Sequence, residues 1–79
     1  MNFGEWVRRE ITRHGKTVTW LALQIEADSS LIIKWRTRGS VPRAKNFLSV
    51  CIVLAGLDNS PLADTLERGA NVIGINMKL

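Results

Sequence analysis

Between Lys34 and Lys45 the chain places five basic side chains, Lys34, Arg36, Arg38, Arg43 and Lys45, and no acidic one. The chemistry open to such a run is anion recognition, because guanidinium forks and ammonium groups donate to phosphate or carboxylate oxygens. The remaining composition narrows the choice. Cys51 and His14 are each the single residue of their kind, so neither a disulfide framework nor a Cys/His zinc site is available. There is no nucleophile–base pair and no glycine-rich phosphate loop, and Glu26 and Asp28 flank a turn rather than forming a catalytic pair. An enzyme, a metal, a cofactor and a small-molecule ligand are therefore not expected.

The net charge of +4 is unevenly spread. Residues 1–50 hold nine Lys/Arg against four Asp/Glu, whereas residues 51–79 hold two against three. A basic half of this kind is the electrostatic footprint of a nucleic-acid surface; its alternative is an ordinary solvated face. With 79 residues, the chain makes one small domain that buries only about 60% of its unfolded surface, so self-association is the expected further source of stability. The longest apolar stretch, "FLSVCIVLAGL" (47–57), is too short and interrupted to span a bilayer. The opening "MNFGEWVRREITRHG" carries charges where a signal peptide needs an apolar run. A soluble, cytoplasmic protein without a membrane partner is expected, and a single thiol fits a reducing compartment.

The pattern predicts five helices that must position these groups. The first spans 2–14, capped by Asn2 with Glu5 completing a capping box; Phe3, Trp6, Val7 and Ile11 form its apolar stripe, Arg8, Arg9 and Arg13 its solvent side, and Gly15 its stop. Thr17 caps a second helix running to Ile25, and Asp28 or Ser29 caps a third running to Thr37. Pro42 suits the first turn of a fourth, with Phe47, Leu48, Cys51, Ile52 and Leu54 buried and Gly56 as its end. A fifth has Ser60 as cap, Pro61 at its first position and Gly69 as terminator. Residues 1–69 form the domain; residues 70–79, "ANVIGINMKL", alternate with a period of two and read as a short strand or dimerisation arm. Trp6, Trp20 and Trp35 read as packing aromatics, His14 as a partner of a helix end, and Cys51 as an inert core thiol.

Two short helices joined by a three- or four-residue break are the helix-turn-helix pattern. Ala22 supplies the small residue where the helices cross, and Leu21, Ile25, Ile32 and Trp35 are spaced to lock them together. The run Leu31-Ile32-Ile33 cannot share one face, because successive helical residues point about 100° apart. On a helical wheel Ile32 and Trp35 face the core, Leu31 borders it, and Ile33 stands among Ser29, Ser30, Lys34 and Thr37 on the opposite side.

Residues Leu21 to Leu54 resemble the lambda-repressor/Cro-like helix-turn-helix domains of phage repressors and related bacterial regulators. The usual run of that family, roughly "LAeklGvsrstIsrWerGkrxPslenLlkiaxaL", aligns without gaps to "LALQIEADSSLIIKWRTRGSVPRAKNFLSVCIVL". The agreement covers Leu21, Ala22, Ile32, Trp35, Pro42, Asn46, Leu48 and Leu54, in a segment about half the chain long. The departure is Glu26, where the family has glycine, so that residue must accept a left-handed backbone or the turn must differ.

The resemblance implies an all-α, five-helix lambda-repressor-like bundle that binds double-stranded operator DNA in a bacterial cell. Carried over position by position, it implies base contacts from Ser29, Ser30, Ile33 and Lys34, with Ile33 toward a thymine methyl and Lys34 toward guanine O6 or N7. It implies phosphate contacts from Lys16, Thr17 and the Val18 N–H at the start of helix two, and from Arg36, Arg38, Arg43, Lys45 and Asn46. For any single cation the alternative is a solvated charge. One reading helix covers few base pairs, so a homodimer on a palindromic site is expected, paired through the near-neutral C-terminal third. The rival from another class is a protein-interaction module, such as an antitoxin, in which the tail carries the function.

Overall fold

In a computed structural model the structure describes residues 1–74. Among them the chain forms five α-helices and no strand: α1 (Phe3–Arg13), α2 (Val18–Ile25), α3 (Ser29–Thr37), α4 (Ala44–Asp58) and α5 (Leu62–Ile73). None is long and apolar enough to cross a membrane. The strand or arm expected over residues 70–79 does not form at its start, where Ala70–Ile73 continue α5, the helix running on past Gly69; its remainder, 75–79, lies outside the described residues.

Local chemistry explains where the first three helices begin and end. The Asn2 side chain accepts from the Glu5 N–H (2.8 Å), and the Glu5 carboxylate accepts from the Asn2 N–H (3.2 Å), closing the capping box. Thr17 Oγ1 accepts from the Trp20 N–H at 3.1 Å and starts α2. Asp28 stands at the head of α3 without a side-chain capping bond. Gly15 (φ 73°) ends α1 in a left-handed turn that returns the Lys16 N–H to the Ile11 carbonyl at 2.8 Å.

The later boundaries differ from those expected. Pro42 is buried in the loop two residues ahead of α4, and Arg43, not proline, occupies the position before its first turn. Gly56 lies inside α4; Asn59 (φ 52°, ψ 44°) makes the left-handed stop, with the Ser60 N–H closing on the Ala55 carbonyl at 3.0 Å. Ser60 does not cap α5, its hydroxyl being buried without a hydrogen-bond partner among the described residues, and Pro61 precedes α5 instead of opening it. Gly69 is a packing residue within α5, since a Cβ there would lie 3.0 Å from Phe47 Cε1 and 3.3 Å from Trp6 Cζ3. The stop comes at Gly74, in a left-handed conformation.

Phe3 stands at the centre of the core, its ring 5.6 Å from Trp6, 5.5 Å from Trp35 and 5.7 Å from Phe47, each pair tilted or edge-on. Val7, Ile11, Leu21, Ile25, Ile32, Val50 and Leu54 complete the cluster. On α4 the inward set is Val50, Cys51, Leu54 and Ala55; Leu48 (45% exposed) and Ile52 (52%) point outward, contrary to expectation. That helix is apolar on nearly every side, so its own periodicity does not select a face; the packing of its neighbours does.

A carboxylate cluster joins α1, α4 and α5. Asp58 accepts from Arg13 (2.8 Å) and Arg68 (3.3 Å), and lies 2.6 Å from His14 Nε2, which must carry the hydrogen. His14 thus serves two helix ends: its backbone N–H closes on the Ile11 carbonyl at the end of α1, and its ring meets Asp58 at the end of α4. Glu10 pairs with both Arg13 and Arg68. Burial pushes the Asp58 carboxyl up, but the hydrogen bonds from His14, Arg13 and Arg68 outweigh it and hold the group below the usual aspartate value.

Gly4 is the closest approach in the bundle. A Cβ on it would run into the Arg36 backbone nitrogen and the Trp35 carbonyl carbon. Gly4→Ala should therefore lower the unfolding free energy by about 2–3 kcal/mol, whereas Gly56→Ala, with open space around it, should raise it by up to about 1 kcal/mol; urea unfolding checks both signs. A depressed Asp58 value stabilises the fold above the ordinary aspartate pKa near 3.9 and is lost as pH falls through the lower folded-state value. Wild type should accordingly lose more stability than Asp58→Asn between pH 7 and about pH 3, as read by thermal melts.

Candidate nucleic-acid interface

The α2–α3 unit is built from the inside outward. Leu21, Ala22 and Ile25 of α2 and Ile32 and Trp35 of α3 are buried together, so both helices are held by their inner faces. The link between them depends on Glu26, which adopts the left-handed conformation (φ 55°, ψ 47°) without being glycine. The Ala27 N–H then reaches the Ala22 carbonyl at 2.9 Å and the Glu26 N–H the Leu23 carbonyl at 3.4 Å. These bonds satisfy carbonyls that the end of α2 would otherwise leave open.

With Ile32 and Trp35 inside, the outer face of α3 is settled. Trp35 is 1% exposed, whereas Ile33, two positions away and so on the opposite side of the helix, is 43% exposed. Ser30, Lys34 and Thr37 share the open side, and Ser29 and Leu31 are half-buried at its margins. The Thr37 hydroxyl is occupied, donating to the Ile33 carbonyl at 3.1 Å. Ser30 and Lys34 line an open hollow of about 570 Å³ with Glu26, Ala27, Asp28, Leu31 and Asn46. Asn46, assigned to phosphate on sequence grounds, is thus brought beside the serine and lysine assigned to bases.

The remaining phosphate candidates lie around this face. Arg43 and Lys45 are exposed at the start of α4, where no side chain caps the helix and the first N–H groups stay open. Helix dipole and basic side chains there both favour an anion. Arg38 is exposed just beyond α3, with its backbone N–H bonded to the Lys34 carbonyl at 2.9 Å. Arg36 is half-buried, and its carbonyl accepts from Asn2 Nδ2 at 2.8 Å. At the start of α2, Thr17 is spent on its cap, Val18 offers its backbone N–H, and the Lys16 ammonium sits 5.0 Å above the Trp20 ring.

One basic residue near the face escaped the sequence reading. Arg8 of α1 shares a cleft with Val18, Ile33 and Arg36. Its signal was faint: it follows Gly4 by four positions and so shares that side of α1, but nothing in the sequence says that this side meets α3. Cys51 lies away from the face, buried between α4 and α5 with Sγ 3.9 Å from the Thr65 carbonyl, and burial pushes its thiol up to about 11. The thiolate that would react or bind metal is suppressed there. No group of three or more His, Cys, Asp or Glu suited to a metal occurs among the described residues.

Comparison with family models, with curated proteins and with solved structures finds no match for this chain.

The left-handed Glu26 carries a conformational cost of about 1–2 kcal/mol that glycine would avoid, offset in part by the greater freedom of glycine in the unfolded chain. Glu26→Gly should therefore leave stability unchanged or raise it by up to about 1 kcal/mol. A marked loss in the same denaturant titration would show that the Glu26 side chain contributes something the backbone geometry does not explain.

Proposed function

We propose that this protein is a sequence-specific double-stranded DNA-binding regulator of the lambda-repressor/Cro kind, which lays α3 in the major groove and works as a homodimer on a palindromic operator. The observation that carries the reading is the division of α3: Ile32 and Trp35 are buried, while Ser30, Ile33 and Lys34 stand exposed on the opposite side. The uncapped start of α4, the first turn of α2 behind its Thr17 cap, and basic side chains flank that side. A rigid helix with a free face supplies base contacts, and the flanking groups hold the phosphates that set its register.

For the second copy, the surface beside the start of α5 offers Leu48, Ile52 and Leu62, all exposed and with no charge between Ile52 and Leu62 on the shared groove. Three aliphatic side chains fall well short of the roughly 800 Å² per partner that a stable complex buries. Pairing on this surface is weak in free solution and is completed on DNA, where two half-sites hold the copies together.

Selection of bound sites from random duplex DNA, followed by titration of variants, tests the reading. Lys34→Ala should lose about 1–3 kcal/mol on the selected site and alter the preferred sequence. Arg43→Ala should weaken selected and scrambled DNA alike and reduce the slope of log affinity against log salt by about one. A wild-type protein that binds selected and scrambled duplexes equally would overturn sequence-specific recognition.

A further inference from the structure

The arginines of α1 look alike in sequence, but the fold separates them. Arg13 is neutralised by Glu10 and Asp58. Arg8 instead lies one turn after Gly4, on the side of α1 pressed against α3. It shares two adjoining clefts with Arg36, one completed by Gly4, Val18, Ile32 and Ile33, the other by Glu5, Arg9 and Thr37. The first, about 230 Å³ in volume, has an apolar floor and opens where α2 begins. Among the described residues neither Arg8 nor Arg36 enters an ion pair, and Glu5 in the neighbouring cleft is held through Oε1 by the Asn2 N–H.

Two guanidinium groups facing one cleft without a carboxylate between them make a place of positive potential that an anion relieves. The open N–H of Val18, at the first turn of α2, adds a donor and the positive end of a helix dipole. Ile33 forms the wall on the side of the exposed α3 face.

We infer that the Arg8–Arg36 cleft seats one backbone phosphate of the bound DNA, next to the nucleotide that meets Ile33, so that the contact surface extends onto α1. This rests on the DNA-binding reading above. The occupant is a phosphodiester: the charged side chains lining the cleft are two arginines, each a fork matched to two phosphate oxygens, and the cleft lies beside the start of α2, apart from the hollow lined by Ser30 and Lys34. The sugar of the same nucleotide lies against Val18 and Ile33.

The test replaces each backbone phosphate of the selected duplex in turn by a neutral methylphosphonate and titrates wild type, Arg8→Gln, Arg36→Gln and the double variant. Arg68→Gln serves as an equal loss of charge on α5. One linkage should weaken wild type about fivefold to tenfold when neutralised and have no further effect on Arg8→Gln. Arg8→Gln should lower affinity for selected and scrambled DNA in parallel, with a salt slope smaller by about one, while Arg68→Gln keeps the wild-type slope. Arg36 is half-buried, so Arg36→Lys replaces Arg36→Gln if the latter melts early. An Arg8→Gln protein that retains the full methylphosphonate response at every linkage overturns the seat and leaves the DNA reading intact. A wild type that binds no duplex overturns both.

Discussion

The arrangement of this molecule depends on the contact of α1 with the end of α3 at Gly4. The two backbones approach so closely there that no side chain fits between them. Asn2 secures the contact from the side: its carbonyl oxygen caps α1 while its amide nitrogen donates to the Arg36 carbonyl at the end of α3. One side chain thus satisfies orphan groups of two helices. The approach also sets Phe3 against Trp35, the pair around which the aromatic core assembles. It fixes which side of α3 faces outward, and it brings Arg8 alongside Arg36.

The charges fall into two groups with different physical roles. Glu10, Arg13, His14, Asp58 and Arg68 form a cluster of short polar contacts that ties the ends of α1 and α4 to α5. Their fields largely cancel, and what they contribute is to the fold. Lys34, Arg38, Arg43 and Lys45 are exposed around α3 and the start of α4; among the described residues none enters an ion pair, and the carboxylates beside them are Glu26 and Asp28, in the hollow that Lys34 lines. Self-repulsion among like charges costs the folded state some stability, and an anionic partner would relieve it. This is the electrostatic basis of the proposed function.

Among the described residues α1, α2 and α4 end by the same device, a left-handed residue followed by a backbone bond back into the last turn, but the residue differs: Gly15, Glu26 and Asn59. Glycine is only the least strained way to reach that conformation. Glu26 accepts it because the burial of Ile25 on one side and Ile32 on the other leaves α2 and α3 one way to join. The same tolerance explains why glycine misled as a punctuator elsewhere. Gly56 and Gly69 are helical: the first has open space around it, and the second makes room for Phe47 and Trp6.

Local and short-range features were legible in the residues themselves. The capping box at Asn2, the start of α2 at Thr17, and the split of Leu31, Ile32 and Ile33 between edge, core and solvent follow from side-chain chemistry and helical periodicity, and the structure has all of them. Helix packing decided the rest. Periodicity cannot choose the inner face of α4, because Leu48 and Ile52 are as apolar as Val50 and Leu54; only the positions of the neighbouring helices can. Nor can spacing reveal that Asn46 lies beside Lys34, that His14 meets Asp58 across 44 positions, or that Arg8 stands next to Arg36. Sequence by itself determined which residues form helices and which stripe of each short amphipathic one turns inward, since those depend on neighbours within a turn. Which helices touch, and therefore which charges are neutralised and which are left facing out, was decided by the tertiary structure, because close approach at a glycine depends on backbones far apart in the chain.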